Sequence, residues 1–180
     1  MNKDFGKFLC YLLRHKPSAA HLNMDEHGWV DIQELIDKVN QYSTYEINYD
    51  ILMETVREDS KQRYEIVNNM IRAAYGHSVR IDPQYRERVP PITLFHGTSS
   101  ENEEQIKKEG ILPQTRLYVH LSPKIEVAAS VGARHRGNVV VYVVDAQKMF
   151  AAGYSFYKVG NTWLTDKVPS KYIKKVGRGE

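Results

Sequence analysis

Apolar residues in the first third of the chain recur three or four residues apart, the spacing that places them on one face of a helix. Three helices are therefore predicted, with apolar faces formed by Phe5, Phe8, Leu9, Leu12 and Leu13, then by Ile32, Leu35, Ile36 and Val39, then by Ile51, Leu52 and Val56. Asp4 is predicted to cap the first helix, which should end before Pro17 because proline disfavours helical geometry in the preceding residue. Asp31 is predicted to cap the second helix, and Glu34 to complete a capping box.

After the third helix the pattern changes to short strand-like segments. Residues 63–67 and 70–73 are predicted to be two strands joined by an Asn68-Asn69 turn, because asparagine tolerates the positive φ that a tight hairpin turn requires. Three helices followed by a hairpin is the element order of a winged-helix unit, a class that binds nucleic acid or other proteins. This helix-rich lobe is assigned to residues 1–85.

A proline pair separates the two halves of the chain. Val89-Pro90-Pro91 predicts a linker over residues 86–91, because adjacent prolines neither continue a helix nor sit inside a central strand. A second, mixed lobe is predicted over residues 92–180. Its strands are expected at 92–95, 116–121, 139–144 and, as two short strands, within 153–164, and its helices at 101–109 and 124–131. The predicted fold class is α+β.

Composition adds few constraints. The 180 residues are 42% hydrophobic and 26% charged, as in ordinary globular proteins. No apolar run approaches the roughly 18 residues of a membrane span. The chain leads directly into an amphipathic segment, so no secretory signal is expected. Cys10 is the single cysteine, which suits a reducing cytoplasm and a buried, inert thiol. We expect a cytoplasmic monomer.

Charge differs between the two halves. Residues 1–82 hold 10 Lys/Arg and 13 Asp/Glu, whereas residues 83–180 hold 15 and 9. A basic second half fits an anionic ligand. This imbalance does not identify nucleic acid as the partner, so that conclusion must depend on particular arginines.

Polar side chains gather where predicted apolar elements end, in segments 13–17, 71–77, 95–98, 119–122 and 131–136. Each segment alone has a structural explanation. Arg14 near a helix C-terminus favours the helix dipole, Arg72 fits a solvated strand edge, and His96 fits a hydrogen-bonded packing residue. The order of the five segments along the chain indicates a function more specifically than any one segment does.

In that order the segments closely resemble the RNA 2′-phosphotransferase family. The family motifs Leu-Arg-His-x-Pro, Ile-Arg-Ala-x-x-Gly-His, Tyr-His-Gly-Thr, Val-His-Leu-Ser and Val-Gly-x-Arg-His match residues 13–17, 71–77, 95–98, 119–122 and 131–135. Phe95 stands where tyrosine is common. The resemblance extends from about Phe5 to Lys175.

The resemblance implies an N-terminal winged-helix RNA-binding lobe and a C-terminal ADP-ribosyltransferase-like split-sheet lobe that binds NAD. The family's Arg-His-Arg-Arg tetrad corresponds to Arg14, His15, Arg72 and Arg134. Arg134 is preferred over Arg136 because it directly follows residues 131–133, although the turn after it is one residue longer than usual.

The resemblance assigns NAD binding to His96, Gly97, Thr98, Leu121 and Ser122. A glycine after a strand lets backbone approach a dinucleotide, and hydroxyl groups can bond ribose or phosphate. No Gly-x-Gly-x-x-Gly follows a strand, so a Rossmann mode is unsupported. No His/Cys cluster has zinc-ligand spacing, so no metal is expected.

The implied reaction consumes NAD in two steps. An RNA 2′-phosphate displaces nicotinamide, and the ribose 2″-hydroxyl then attacks phosphorus. The products are 2′-OH RNA and ADP-ribose 1″,2″-cyclic phosphate. Arginines suit the substrate because their planar forks stay charged and donate paired hydrogen bonds to a phosphate dianion. Both tRNA splicing and other RNA repair fit this chemistry.

Two other functions are less consistent with the sequence. A mono-ADP-ribosyltransferase usually carries a glutamate in its last motif, and residues 159–165 contain no carboxylate. A DNA-binding winged-helix regulator needs base-reading side chains on a recognition helix. Residues 32–39 instead include the acidic Glu34 and Asp37.

Overall fold

The computed structural model describes residues 3–134 and 137–177. It has the predicted α+β composition, with helices and small antiparallel sheets. The chain divides into two compact units, 1–84 and 85–180, which are described separately. No helix in the described ranges has the length and apolar character needed to cross a lipid bilayer.

The first unit packs three helices against a small sheet. Its elements are α1 (Lys3–Arg14), a 3-10 helix (Pro17–Ala20), β1 (Val30–Asp31), α2 (Ile32–Tyr42), α3 (Tyr49–Arg57), β2 (Tyr64–Val67) and β3 (Met70–Ala73). The sheet order is β1-β3-β2, with antiparallel pairing throughout. The apolar helix faces form one core around the fully buried Leu9, Leu35 and Leu52. This confirms the predicted helical spacing except at Ile51, which is exposed and lies outside the core.

The helix starts differ from prediction in two details. Asp4 lies inside the first turn of α1 and does not precede it, so its assignment as a cap is wrong. Asp31 does cap α2, because its Oδ1 accepts a hydrogen bond from the Glu34 amide at 2.9 Å. The prediction that Glu34 completes a capping box with Asp31 is wrong. The Glu34 carboxylate accepts instead from the backbone and side-chain nitrogens of Asn23, both at 2.9 Å, because the loop before β1 passes the helix start.

The predicted hairpin is confirmed. Asn68 adopts a φ of 53° in the two-residue turn between β2 and β3. This turn sets the register, which places Glu65 directly opposite Arg72. Side chains of directly opposed residues lie on the same face of an antiparallel pair.

The second unit contains two three-stranded sheets. Its elements are β4 (Thr93–Ser99), α4 (Glu103–Glu109), β5 (Val119–Leu121), α5 (Ile125–Gly132), β6 (Val139–Asp145), α6 (Ala146–Ala151), β7 (Tyr157–Val159), β8 (Thr162–Thr165) and β9 (Ile173–Lys175). The strand orders are β4-β6-β9 and β5-β8-β7. Within the described residues the sheets meet at one isolated bridge, in which the backbone groups of Phe95 and Ser122 exchange hydrogen bonds of 2.8 and 2.9 Å.

Several bounds in this unit differ from those predicted. Strand β4 continues through the polar residues 96–99 because they pair along their length with β6. Strand β5 is shorter than the predicted 116–121, and neither α6 nor β9 was predicted. The predicted linker is partly paired, since Glu87 forms a bridge with Tyr157 and the Arg88 amide donates to the Phe156 carbonyl at 2.8 Å.

Candidate active site

Two predicted site residues lie at the C-terminal end of α1 and are joined to the segment after β3. The Arg14 carbonyl accepts hydrogen bonds from the amides of Ser78 and Val79, at 2.9 and 3.2 Å. The next residue, His15, is exposed, and its Nδ1 lies 2.9 Å from the Ser78 hydroxyl. These contacts bring the 13–17 and 71–77 motifs together in space.

The Arg14 guanidinium has two buried nitrogens without hydrogen-bond acceptors among the described residues. Its Nε and Nη2 atoms are inaccessible to solvent and have no hydrogen-bond partner among the described residues. Its Cζ lies 5.0 Å from the centre of the Tyr75 ring. Gly76, at a φ of +91°, passes so close that a Cβ there would lie 3.2 Å from Cζ. Buried unsatisfied donors cost about 1–3 kcal/mol each, so their retention calls for an explanation such as ligand binding.

Arg72 is held firmly, in contrast to Arg14. Its Nε donates to the Glu65 carboxylate at 2.7 Å, and its Nη1 donates to the carbonyls of His27 and Pro83 at 3.1 and 3.2 Å. The Trp29 ring lies 4.5 Å from the Arg72 Cζ, within the range of a cation–π contact.

His77 is buried beside these cations and is only 2% exposed. Burial and the positive charges of Arg14, Arg72 and His15 lower the pKa of His77 to about 4. The imidazole is therefore neutral at pH 7. Its Nε2 is buried without a hydrogen-bond partner among the described residues. In the first unit the structure thus brings together Arg14, His15 and Arg72 around a neutral histidine.

The low pKa of His77 predicts acid sensitivity of the first unit. The folded pKa of about 4 lies below the unfolded value of 6.5, so the unfolded chain binds more protons between these values and stability falls as pH falls through that window. The shift corresponds to about 3 kcal/mol. We expect His77→Asn to flatten this dependence. The measurement is urea unfolding at pH 7.5 and 4.5 in a Trp163→Phe background, where Trp29 fluorescence reports on the first unit.

The control for this experiment is His21→Asn, which alters an exposed histidine of the same unit. It should retain the acid dependence of the parent. An unchanged slope in His77→Asn would show that another group titrates.

In the second unit the predicted NAD-binding residues adjoin the junction of the two sheets. His96 follows the bridged Phe95, and its Nδ1 lies 3.0 Å from the carbonyl oxygen of His120. Both histidines are half-buried. Ser122 lies on the other side of the bridge. The structure therefore brings the 95–98 and 119–122 motifs side by side.

The structure gives Gly97 a packing role. A Cβ at this position would lie 1.7 Å from the carbonyl oxygen of Ala128 in α5. Glycine is required at this position because helix α5 approaches it closely. The prediction was that a dinucleotide would approach here. Helix α5 also comes close at Gly132, although less so, because a Cβ there would lie 3.0 Å from the Thr98 amide nitrogen.

The other predicted NAD-binding side chains have local partners. The Thr98 hydroxyl accepts a hydrogen bond from Asn102 at 2.9 Å, and the Ser122 hydroxyl donates to the Lys124 carbonyl at 2.9 Å. Leu121 is 2% exposed and belongs to the apolar core.

Arg134 is exposed in the turn after α5, and its amide donates to the Val131 carbonyl at 3.2 Å. The alternative residue, Arg136, lies outside the described residues. The assignment of the fourth tetrad residue stays a prediction.

Two residues of this site were given no role in the sequence analysis. His77 belongs to a recognised motif, but its burial was not visible in the pattern. Glu65 was detectable, because the two-residue Asn68-Asn69 turn fixes a register that pairs position 65 with position 72.

Comparison with known proteins identifies the family of this chain. The model of the RNA 2′-phosphotransferase, Tpt1 / KptA family matches residues 1–167. The chain belongs to this family. All five motif segments of the RNA 2′-phosphotransferase resemblance fall within the matched range, and the resemblance is confirmed.

Relatives in the RNA 2′-phosphotransferase family align along nearly the whole chain. A protein of Fusobacterium nucleatum subsp. nucleatum is 43% identical over 172 residues, covering 94% of this chain and 96% of the relative. One from Rhizobium johnstonii is 39% identical over 176 residues, with 97% and 95% covered. One from Acaryochloris marina is 40% identical over 177 residues, with 97% of each covered. Each is named a probable RNA 2′-phosphotransferase.

Proposed function

We propose that this RNA 2′-phosphotransferase family member removes a 2′-phosphate from tRNA or another RNA by transferring it to the ADP-ribose part of NAD. The observation that carries the proposal is the Arg14 guanidinium, whose Nε and Nη2 are buried and unsatisfied close to Arg72 and His15. A phosphate monoester carries close to two negative charges near pH 7 and offers the acceptors that these donors lack.

The element order supports a distinct role for each unit. In the first, three helices precede the β2–β3 hairpin, as in winged-helix RNA- and DNA-binding units. In the second, two small antiparallel sheets meet at the bridge between Phe95 and Ser122, an arrangement compatible with the split sheet of ADP-ribosyltransferases. We assign RNA binding to the first unit and NAD binding to the second.

In the first proposed step, a 2′-phosphate oxygen forms a bond to the ribose carbon that carries nicotinamide, and nicotinamide leaves with the bonding electrons. The nucleophile is already an anion and the pyridinium is a good leaving group. This step therefore needs mainly that the phosphate be held in line. Arg14 and Arg72 supply that orientation.

In the second step, the ribose 2″-hydroxyl attacks phosphorus and the RNA 2′-oxygen leaves. Negative charge accumulates on the phosphoryl oxygens, so the arginines, with Arg134 as the fourth tetrad member, stabilise this transition state most. One proton must pass from the 2″-hydroxyl to the departing 2′-oxygen. His15 is exposed and its ring is oriented by Ser78, which suits it to carry that proton.

The NAD contacts are assigned to both backbone and side chains. The side chains of Thr98 and Ser122 already have protein partners, so we propose that residues 96–98 and 121–122 contact NAD mainly through backbone groups. His96 is half-buried, and its ring is oriented by the His120 carbonyl oxygen, which lies 3.0 Å from Nδ1. No step of this mechanism calls for a metal.

The proposal is tested by incubating the protein with NAD and a 2′-phosphorylated oligonucleotide. We expect 2′-OH RNA, nicotinamide and ADP-ribose 1″,2″-cyclic phosphate, identified by mass. Arg72→Ala and Arg134→Ala should accumulate ADP-ribosylated RNA, because losing one donor to the transition state slows the second step about 100-fold. The same oligonucleotide with a 3′-phosphate is the control substrate.

Formation of ADP-ribosylated RNA without any cyclic phosphate in the wild-type protein would contradict the proposal. That result would instead indicate a simple ADP-ribosyltransferase.

A further inference from the structure

The hydrogen bonds of Arg72 leave a single nitrogen available to a ligand. A guanidinium has five N–H bonds. One of them, on Nε, is directed to Glu65, and the two on Nη1 are directed to the carbonyls of His27 and Pro83. No partner for Nη2 occurs in the described part of the chain. Both remaining N–H bonds are therefore on one atom.

The surroundings also restrict how the group can turn. The guanidinium lies over the Trp29 ring, with its Cζ 4.5 Å from the ring centre. The two carbonyls belong to chain segments that are joined to each other, since the Asp82 amide donates to the Glu26 carbonyl at 2.8 Å. The His27 Nδ1 lies 2.7 Å from the Asp82 carbonyl oxygen. The loop before β1, strand β3 and the segment after β3 thus meet at Arg72.

We propose that Glu65 is a positioning residue that orients Arg72 so that Nη2 faces the RNA 2′-phosphate. This inference depends on the proposed function. Glu65 is directly opposite Arg72 in the β2–β3 ladder and forms a charge-assisted hydrogen bond with Nε. An arginine side chain has several rotatable bonds, and a fixed acceptor at Nε restricts them before the ligand arrives.

A carboxylate next to a phosphate site has two opposing effects. Its charge repels the dianion, which weakens binding, whereas its hydrogen bond orients the arginine, which strengthens binding. The Glu65 side chain is 38% exposed, so solvent screens the repulsion. The hydrogen bond is between adjacent groups and is little affected by that screening. The positioning effect is therefore expected to dominate.

The two effects predict opposite outcomes for Glu65→Ala. We expect this variant to bind a 2′-phosphorylated oligonucleotide about tenfold more weakly, the size of one charge-assisted hydrogen bond. Removal of repulsion alone would make binding tighter. Glu65→Gln keeps an acceptor oxygen but loses the charge, so its affinity should equal or exceed that of the wild type. Affinity is measured by calorimetry without NAD.

A second pair of variants tests whether Glu65 acts through Arg72. In an Arg72→Ala background, Glu65→Ala should change the affinity by less than about twofold, because the group it positions is absent. Glu103→Ala is the matched control, since it removes a carboxylate that pairs with Lys175 at 2.6 Å in the second unit. It should leave the affinity unchanged.

Three results would overturn the inference. They are unchanged or tighter binding by Glu65→Ala, equal weakening by Glu65→Gln, and a full effect of Glu65→Ala in the Arg72→Ala background. The thermal midpoint of each variant separates loss of orientation from loss of folding. Cyclic phosphate production by the wild-type protein separately tests the proposed function, so the two can fail independently.

Discussion

Replacing Arg14 with methionine is expected to slow formation of the cyclic phosphate about 100-fold, the effect of losing one preorganised donor to the transition state. The same variant should be at least as stable as the wild-type protein. Two of the guanidinium nitrogens are buried without acceptors, and methionine fills a similar elongated space without that desolvation cost. Loss of the contact with Tyr75 and of a favourable charge at the helix end offsets part of the gain.

Two measurements check this prediction. Single-turnover kinetics should show ADP-ribosylated RNA persisting in Arg14→Met, and urea unfolding should give a midpoint equal to or above that of the wild type. A variant that loses both activity and stability would mean that Arg14 mainly supports the fold. Arg57→Met, at the end of α3, is the control for removing an arginine from a last helical turn of the same unit.

Gly97→Ala is expected to destabilise the second unit by about 3 kcal/mol, at the upper end of what an overpacked position usually costs. The added Cβ would lie 1.7 Å from the Ala128 carbonyl oxygen. That atom is backbone, so relief requires α5 to move away from β4. The loss is measured by urea unfolding followed by circular dichroism.

Gly177→Ala is the matched control, because no atom of the described residues lies within 4 Å of a Cβ built there. Its unfolding midpoint should remain that of the parent protein. A Gly97→Ala variant with the wild-type midpoint would show that α5 adjusts without cost. In that case the helix does not determine the need for glycine at this position.

Local patterns predicted most of the first unit because its helices and hairpin are specified by neighbouring residues. Apolar spacing identified the buried faces, and the Asn68-Asn69 pair located the turn of the hairpin. The capping box failed because Asn23, which is distant from Glu34 in sequence, supplies better placed donors. A local sequence motif does not reveal such a competing hydrogen-bond donor.

The second unit was harder to predict because its strands are defined by long-range pairing. Residues 96–99 are polar and contain a glycine, yet they form a strand because β6 lies alongside them. Strand β9 has only three residues and pairs with β6 from a distant part of the sequence. Neither strand has a local signal strong enough to predict its bounds.

Motif order led to the candidate site, but its electrostatic character came from the structure. Sequence showed that Arg14, His15 and Arg72 belong to recognisable motifs. It did not show that the Arg14 donors are buried or that the pKa of His77 falls to about 4. Both depend on the total packing around each group, which residues close in sequence do not determine.

The short turn between β2 and β3 has a consequence for how this site can vary. Successive side chains on a strand point to opposite faces, so inserting or deleting one residue between Val67 and Met70 would shift the ladder by one position. Arg72 would then lose its alignment with Glu65, although neither residue had been altered. The length of a solvent-facing loop thus limits which sequence changes the strand that carries Arg72 can tolerate.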